Sequence, residues 1–149
     1  MTQHKYYLFT GATSGLGLEA AAQLAKADES AFLIVGARQP TQATALRRAV
    51  PEAQLVVLEL DTSSLASVKS FAAKVQEALA ANTLSGVALN AGVQVVSGDQ
   101  YSVDGFELTF ATNVLGHIAL FEYLLPVLLP LAVIVSTASG THDKDHKLA

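Results

Sequence analysis

The stretch that decides the fold is Lys5-Tyr6-Tyr7-Leu8-Phe9-Thr10-Gly11-Ala12-Thr13-Ser14-Gly15-Leu16-Gly17-Leu18-Glu19-Ala20-Ala21-Ala22-Gln23-Leu24-Ala25. An apolar, aromatic-rich run of strand length meets Gly11, and after a short Gly/Ser/Thr turn the pattern becomes an alanine- and leucine-rich helix. A helix N-terminus has amide N–H groups without internal partners and a partial positive charge, so a phosphate placed there is hydrogen-bonded and electrostatically favoured. Gly11 can turn without a Cβ penalty, Gly15 lets a pyrophosphate approach, and Gly17 lets the helix pack tightly on its strand. The spacing is Gly-x-x-x-Gly-x-Gly rather than Gly-x-Gly-x-x-Gly. A merely conformational turn is the plain alternative, and the buried strand before it and the helix after it argue against that.

Outward from this unit the chain alternates strands and helices. Ala31 to Arg38 reads as a second buried strand, closed by Gln39-Pro40; Thr41 to Val50 reads as a helix stopped by Pro51. Gln54 to Leu60 is a third strand, and Leu65 to about Ala81 a helix with Leu65, Val68, Phe71, Ala72, Val75 and Leu79 on one apolar face. A turn at Asn82 to Gly86 leads to a fourth strand, Gly86 to Leu89, and an irregular Val93 to Val103. Asp104-Gly105-Phe106-Glu107 has capping-box spacing and opens a long helix through Leu125, on which Phe110, Val114 and Ile118 form an apolar line. Leu131 to Ser136 is a fifth strand. Five strands alternating with helices predict a Rossmann-type, doubly wound parallel α/β sheet with right-handed crossovers. Residues 1–149 read as one nucleotide-binding domain.

The composition agrees with a covered parallel sheet: 51% of residues are hydrophobic and only 15% charged. The net charge of -4 comes without a Lys/Arg cluster, which recommends neither nucleic acid nor an anionic membrane as partner. With no cysteine, a disulfide scaffold and a thiolate metal site or nucleophile are excluded. No apolar signal region follows Met1-Thr2-Gln3-His4-Lys5, so a cytoplasmic protein is expected. The most membrane-like stretch, Ile118 to Val135, is interrupted by Glu122, Pro126 and Pro130; it reads as a buried helix, a turn and a buried strand rather than a transmembrane segment.

Three strand tips carry polar or small residues that would share one edge: Gly11 to Gly17, Asn90-Ala91-Gly92, and Ser136 to Gly140. About twenty residues beyond the glycine turn, a dinucleotide fold places an acid against the ribose of NAD. Here stand Ala37 and then Arg38, whose guanidinium suits a phosphate and favours NADP(H); the alternative is an arginine that simply ends a strand. Asp61, followed by Thr62, lies at the tip of the third strand, on the ligand side of such sheets; Asp61, Ser63 or Ser64 also suits the cap of the next helix, and both readings can hold. Asn113 sits mid-helix, where a polar amide needs a reason, and His117 one turn later either faces the site or, the favoured reading, is a helix-surface histidine.

With these residues in view, the chain resembles the short-chain dehydrogenase/reductase family over essentially its whole length. Thr10 to Gly17 matches the family's cofactor motif, including Thr13, Ser14 and Leu16; Asp61 matches its adenine-side acid, Asn90-Ala91-Gly92 its fourth-strand motif, Asn113 its helix asparagine and Ser139 its catalytic serine. Gly36-Ala37-Arg38, Leu65 to Phe71 and Asp104 to Glu107 look most like the NADP-dependent retinol dehydrogenase and protochlorophyllide reductase branch. The resemblance implies the strand order 3-2-1-4-5 and hydride transfer between nicotinamide and a small-molecule alcohol or carbonyl. In that chemistry Ser139 bonds the substrate oxygen and Asn113 holds a water in a proton relay. It is also compatible with a homodimer through the long helix.

The family's Tyr-x-x-x-Lys pair is missing. Four residues after Tyr6, Tyr7, Tyr101 and Tyr123 stand Thr10, Gly11, Gly105 and Val127, so the resemblance implies that these residues form part of a longer protein. The alternative is a nucleotide-binding domain without catalysis, acting as sensor or scaffold. A methyltransferase of similar fold is disfavoured by Ala37, and a serine hydrolase by the want of a Gly-x-Ser-x-Gly elbow at Ser139. His142 and His146 have a spacing that suits a metal only on a helix, and their charged surroundings read as a solvated loop.

Overall fold

The computed structural model describes residues 4–140; the His142/His146 pair lies outside them. Five strands form one parallel sheet: β1 (Lys5–Thr10), β2 (Ala31–Ala37), β3 (Leu55–Glu59), β4 (Leu84–Leu89) and β5 (Leu128–Ser136). Their order is β3-β2-β1-β4-β5, as expected. Chain order reverses between β1 and β4, the position at which doubly wound sheets open a crevice beyond the strands' carboxyl ends.

Helices α1 (Gly15–Ala27) and α2 (Thr44–Ala49) cover one face, and α3 (Leu65–Leu79) and α4 (Leu108–Val127) the other. The residues that make the two cores alternate along each strand, because successive side chains point to opposite faces. Leu8 and Ile34 face Val68, Phe71 and Val75 of α3 and Leu120 and Leu124 of α4. Phe9, Leu33 and Val35 face Ala21 and Ala25 of α1 and Leu46 of α2. Each such fully buried large side chain stabilises the fold by about 1.5–3 kcal/mol.

Several elements depart from the sequence reading. The fourth strand begins two residues early, because Leu84 already pairs with Tyr6. The helix expected over Thr41 to Val50 is split into a 3₁₀ turn at Pro40–Gln42 and the short α2. Asp104 does not open α4. Glu107 does, its carboxylate accepting the amides of Thr109 at 2.8 Å and Phe110 at 2.6 Å.

By length and composition alone, α4 is apolar enough to cross a membrane. In the fold it is a sheet-covering helix, with His117, Leu120 and Leu124 buried and Phe110, Val114 and Ile118 exposed as a stripe on the other side. The fifth strand was expected to be buried and is not: Leu131 is 93% and Val133 63% exposed. Among the described residues its one neighbour in the sheet is β4. Pairing jumps from Leu84↔Leu128 to Gly86↔Val133, so β5 carries surplus residues around Pro130, which has no N–H to give a ladder.

Candidate functional site

The carboxyl ends of β1, β4 and β5 are tied together by side chains that their own sequences supply. The Thr10 hydroxyl, fully buried at the end of β1, accepts the amides of Asn90 at 2.9 Å and Ala91 at 3.0 Å from the end of β4. Asn90 answers through Nδ2, which donates to the Gly11 carbonyl at 3.0 Å. The Thr137 hydroxyl, just past β5, donates to Asn90 Oδ1 at 2.8 Å, and its amide donates to the Leu89 carbonyl at 3.0 Å. The three clusters expected to share one edge therefore meet, with Asn90 as the hub.

The glycine turn is shaped by close approach. Gly11 has φ +67°, and a Cβ there would meet the Ala91 backbone at 2.7 Å. A Cβ on Gly17 would run into the Gly11 carbonyl oxygen and lie 2.6 Å from Asn90 Nδ2. Gly15, at φ +58°, has nothing within 4 Å, so the turn is open on the side away from the sheet. Ser14 is the N-cap of α1 but its side chain makes no capping bond, and Ser14, Gly15 and Leu16 are exposed. Thr13 is half-buried beside them. The first amides of α1 thus face an open space at the strand edge, which is the donor set an anionic phosphate requires. A pyrophosphate carried on a dinucleotide fits this cradle.

Arg38 is exposed and follows Ala37, the last residue of β2. Gly36 pairs with Thr10, which puts Arg38 beyond the strand end next to the glycine turn. Asp61 and Thr62 follow β3 on the other side of β2. Asp61 accepts the amide and hydroxyl of Ser63 at 2.9 and 2.7 Å, while Ser64 caps α3 by accepting the Ser67 amide. Of the three cap candidates it is Ser64 that caps α3, and Asp61 orders the turn before it. Thr62 is buried, and its carbonyl is where a Cβ on Gly116 of α4 would collide.

Asn113 sits in a π-helical turn, Ala111–Leu115, inside α4. Its side-chain amide bonds the backbone of Val93, accepting the Val93 amide and donating to the Val93 carbonyl, each at 2.8 Å. This holds the chain after Asn90-Ala91-Gly92 against the helix, and Gly92 has the Asn113 side chain 3.4 Å from where its Cβ would be. Ser139 is exposed, three residues after β5 and two after Thr137.

The sequence reading favoured the wrong one of two places for His117. It is buried, not on the helix surface, with Nε2 2.9 Å from Thr10 Oγ1 and Nδ1 3.1 Å from the Asn113 carbonyl. Burial pushes its pKa below the ordinary histidine value, more than the bond to the Asn113 carbonyl raises it. The available signal was its spacing, one turn after Asn113 and on the same face as Leu120 and Leu124.

The short chain dehydrogenase profile matches residues 5–147. The chain belongs to the short-chain dehydrogenase family. It is 36% identical over 127 residues to the chloroplast short-chain dehydrogenase TIC 32 B of Brassica napus, covering 83% of this chain and 38% of the relative. It is 33% identical over 148 residues to the chloroplast protochlorophyllide reductase of Chlamydomonas reinhardtii, covering 93% of this chain and 36% of the relative. Among solved structures, NADPH-bound carbonyl reductase from chicken fatty liver superposes with a TM-score of 0.69 at 26% identity, over 84% of this chain and 52% of that one. The chain therefore spans between about a third and a half of the length of these three proteins. Family membership carries no compartment with it, since relatives of the chloroplast are among them.

Proposed function

We propose that residues 1–149 form a dinucleotide-binding domain that takes NADP(H) for hydride transfer to or from an alcohol or carbonyl substrate. The observation that carries the reading is the joining of the β1, β4 and β5 ends through Asn90, with the open glycine turn and the uncapped start of α1 on the same edge. Gly11, Thr13, Ser14, Gly15, Leu16 and Gly17 would hold the pyrophosphate, and Arg38 a 2′-phosphate that an acid at position 37 or 38 would repel. Asp61 and Thr62 would border the adenine, and Asn90, Ala91 and Gly92 the nicotinamide half. Membership of the family and the NADPH bound by the chicken carbonyl reductase support this choice of cofactor.

Bound NADP(H) supplies or accepts the hydride. Ser139 is assigned the hydrogen bond to the substrate oxygen. Asn113, whose side chain bonds Val93 and whose carbonyl accepts from His117, is assigned the relay water. Turnover also needs a general acid/base, and no tyrosine of this sequence stands four residues before a lysine. Without such a group the reading reduces to nucleotide binding alone. The exposed stripe of Phe110, Val114 and Ile118 is a surface for pairing of two copies.

Fluorescence titration with NADPH and NADH, followed by absorbance assay of NADPH oxidation with a panel of aldehydes and ketones, tests the proposal. Binding with turnover is the expected result. Binding without turnover leaves the sensor or scaffold reading, and failure to bind either nucleotide removes both.

A further inference from the structure

The bonds around His117 leave one arrangement of protons. A backbone carbonyl accepts and never donates, so the contact between Nδ1 and the Asn113 oxygen requires the hydrogen on Nδ1. In the neutral ring Nε2 is then an acceptor, and the Thr10 hydroxyl must donate to it. That leaves Thr10 Oγ1 with two lone pairs for two incoming amides, Asn90 and Ala91. Donors and acceptors balance along the whole chain, from the β4 tip through β1 to α4.

A charged ring breaks that balance. Nε2–H would become a third donor aimed at Thr10 Oγ1, whose own hydrogen would lose its acceptor. Both losses fall in a buried site, where an unmet polar group is costly. The two ring nitrogens face only Thr10 and Asn113, and the shift of the ring's pKa comes from burial and the Asn113 carbonyl, with no contribution from any charged side chain among the described residues. The facing groups on β1, on the β4 tip and on α4 itself are thus neutral, and titration of this region rests on His117.

We propose that His117 is a positioning residue of the candidate nucleotide site: as the neutral Nδ1–H tautomer it turns the Thr10 hydroxyl so that Thr10 holds the Asn90 and Ala91 amides, and so sets how the β1 and β4 tips meet beneath the cofactor. The part of this that concerns cofactor binding rests on the nucleotide reading above; the part that concerns the strand tips does not. The sign follows from the direction of the shift. Because the folded-state pKa lies below the ordinary value, the arrangement is complete above that value and is lost as pH falls through the folded one.

The test is carried out on the whole chain by nitrogen-15 NMR of the histidine rings and backbone amides across pH, with NADPH titrations alongside. His117 is expected to show the Nδ1–H pattern at neutral pH, and the Asn90 and Ala91 amide signals to move with the same midpoint as the ring. NADPH affinity is expected to fall about tenfold on protonation, the loss of one buried hydrogen-bond relay. His117→Gln, which keeps an uncharged acceptor near Nε2, is expected to leave the Asn90 and Ala91 amide signals where they stand at neutral pH and to abolish their movement with pH. An Nε2–H tautomer, or Asn90 and Ala91 amides that ignore the ring's titration, overturns the proposal. If the amides follow His117 but NADPH binds at no pH, the nucleotide reading falls and the positioning of the strand tips stands.

Discussion

Asp104, in the loop after β4, accepts the backbone amide of Leu65, the first residue of α3, at 2.8 Å. Thirty-nine residues separate the two in sequence. The first amides of α3 have no partner within the helix, and Ser64 satisfies only the one at Ser67. A residue that sequence spacing assigns to the start of α4 therefore caps a different helix, and α4 is capped by Glu107. The bond fastens the loop that follows Asn90-Ala91-Gly92 to the helix that follows Asp61-Thr62.

Asp104→Ala should then destabilise the protein by about 1 kcal/mol, the usual loss for a helix cap. It should also raise amide hydrogen exchange at Leu65 without affecting Thr109 and Phe110, whose amides bond Glu107. Thermal unfolding with hydrogen-exchange mass spectrometry checks both. Protection lost at Thr109 instead would return Asp104 to its capping-box role.

Gly17 and Gly15 sit two residues apart and should respond differently to alanine. Gly17→Ala drives a methyl group into the Gly11 carbonyl and the Asn90 amide, and overpacking of this kind costs about 1–3 kcal/mol while separating the β1 and β4 tips. Gly15→Ala meets open space and carries only the strain of φ +58°, roughly 1 kcal/mol. Denaturant midpoints and NADPH titrations distinguish them. Equal losses in both would mean that the turn is not closed by contact with Asn90.

Arg38→Ala should weaken NADPH by about tenfold or more, the worth of a hydrogen bond to a charged group, and leave NADH within about twofold. The comparison is made by fluorescence titration at fixed salt, since an exposed guanidinium is screened as ionic strength rises. Equal loss for both nucleotides would end the phosphate role of Arg38.

The Asp28 carboxyl is held down to about 2, chiefly by the Ser30 hydroxyl, which donates at 2.5 Å, and next by Lys5 at 2.9 Å. A carboxyl depressed in the folded state contributes stability that is present above its ordinary value of 3.8 and is lost as pH falls from there to about 2. Asp28→Asn should therefore unfold at lower temperature than wild type at neutral pH, with the gap closing in that acid window. A gap that persists below it would point to the amide's shape rather than to charge.

The five strands and the glycine-turn helix were legible in the sequence because each is written locally, in an apolar run or a helical periodicity and a set of turn residues; the strand order came from the resemblance to the family. The candidate cluster was legible in the same way, since Gly11, Asn90 and Thr137 each end a strand and parallel strands end on one edge. Strand burial was less so. Leu131 and Val133 have core-like composition and are nonetheless exposed, because among the described residues β4 is the one strand beside β5.

Sequence by itself determined the elements and the edge at which they meet, because those follow from neighbours along the chain. Tertiary structure decided the pairings across it: Asp104 with Leu65, Asn113 with Val93, and His117 with Thr10 at a separation of 107 residues. A hydrogen-bonding side chain has no periodicity that names its partner. Which acceptor it reaches depends on how α4 lies over the ends of β1 and β3, and that is fixed by the packing of Leu120 and Leu124 and by the space that Gly116 leaves for Thr62.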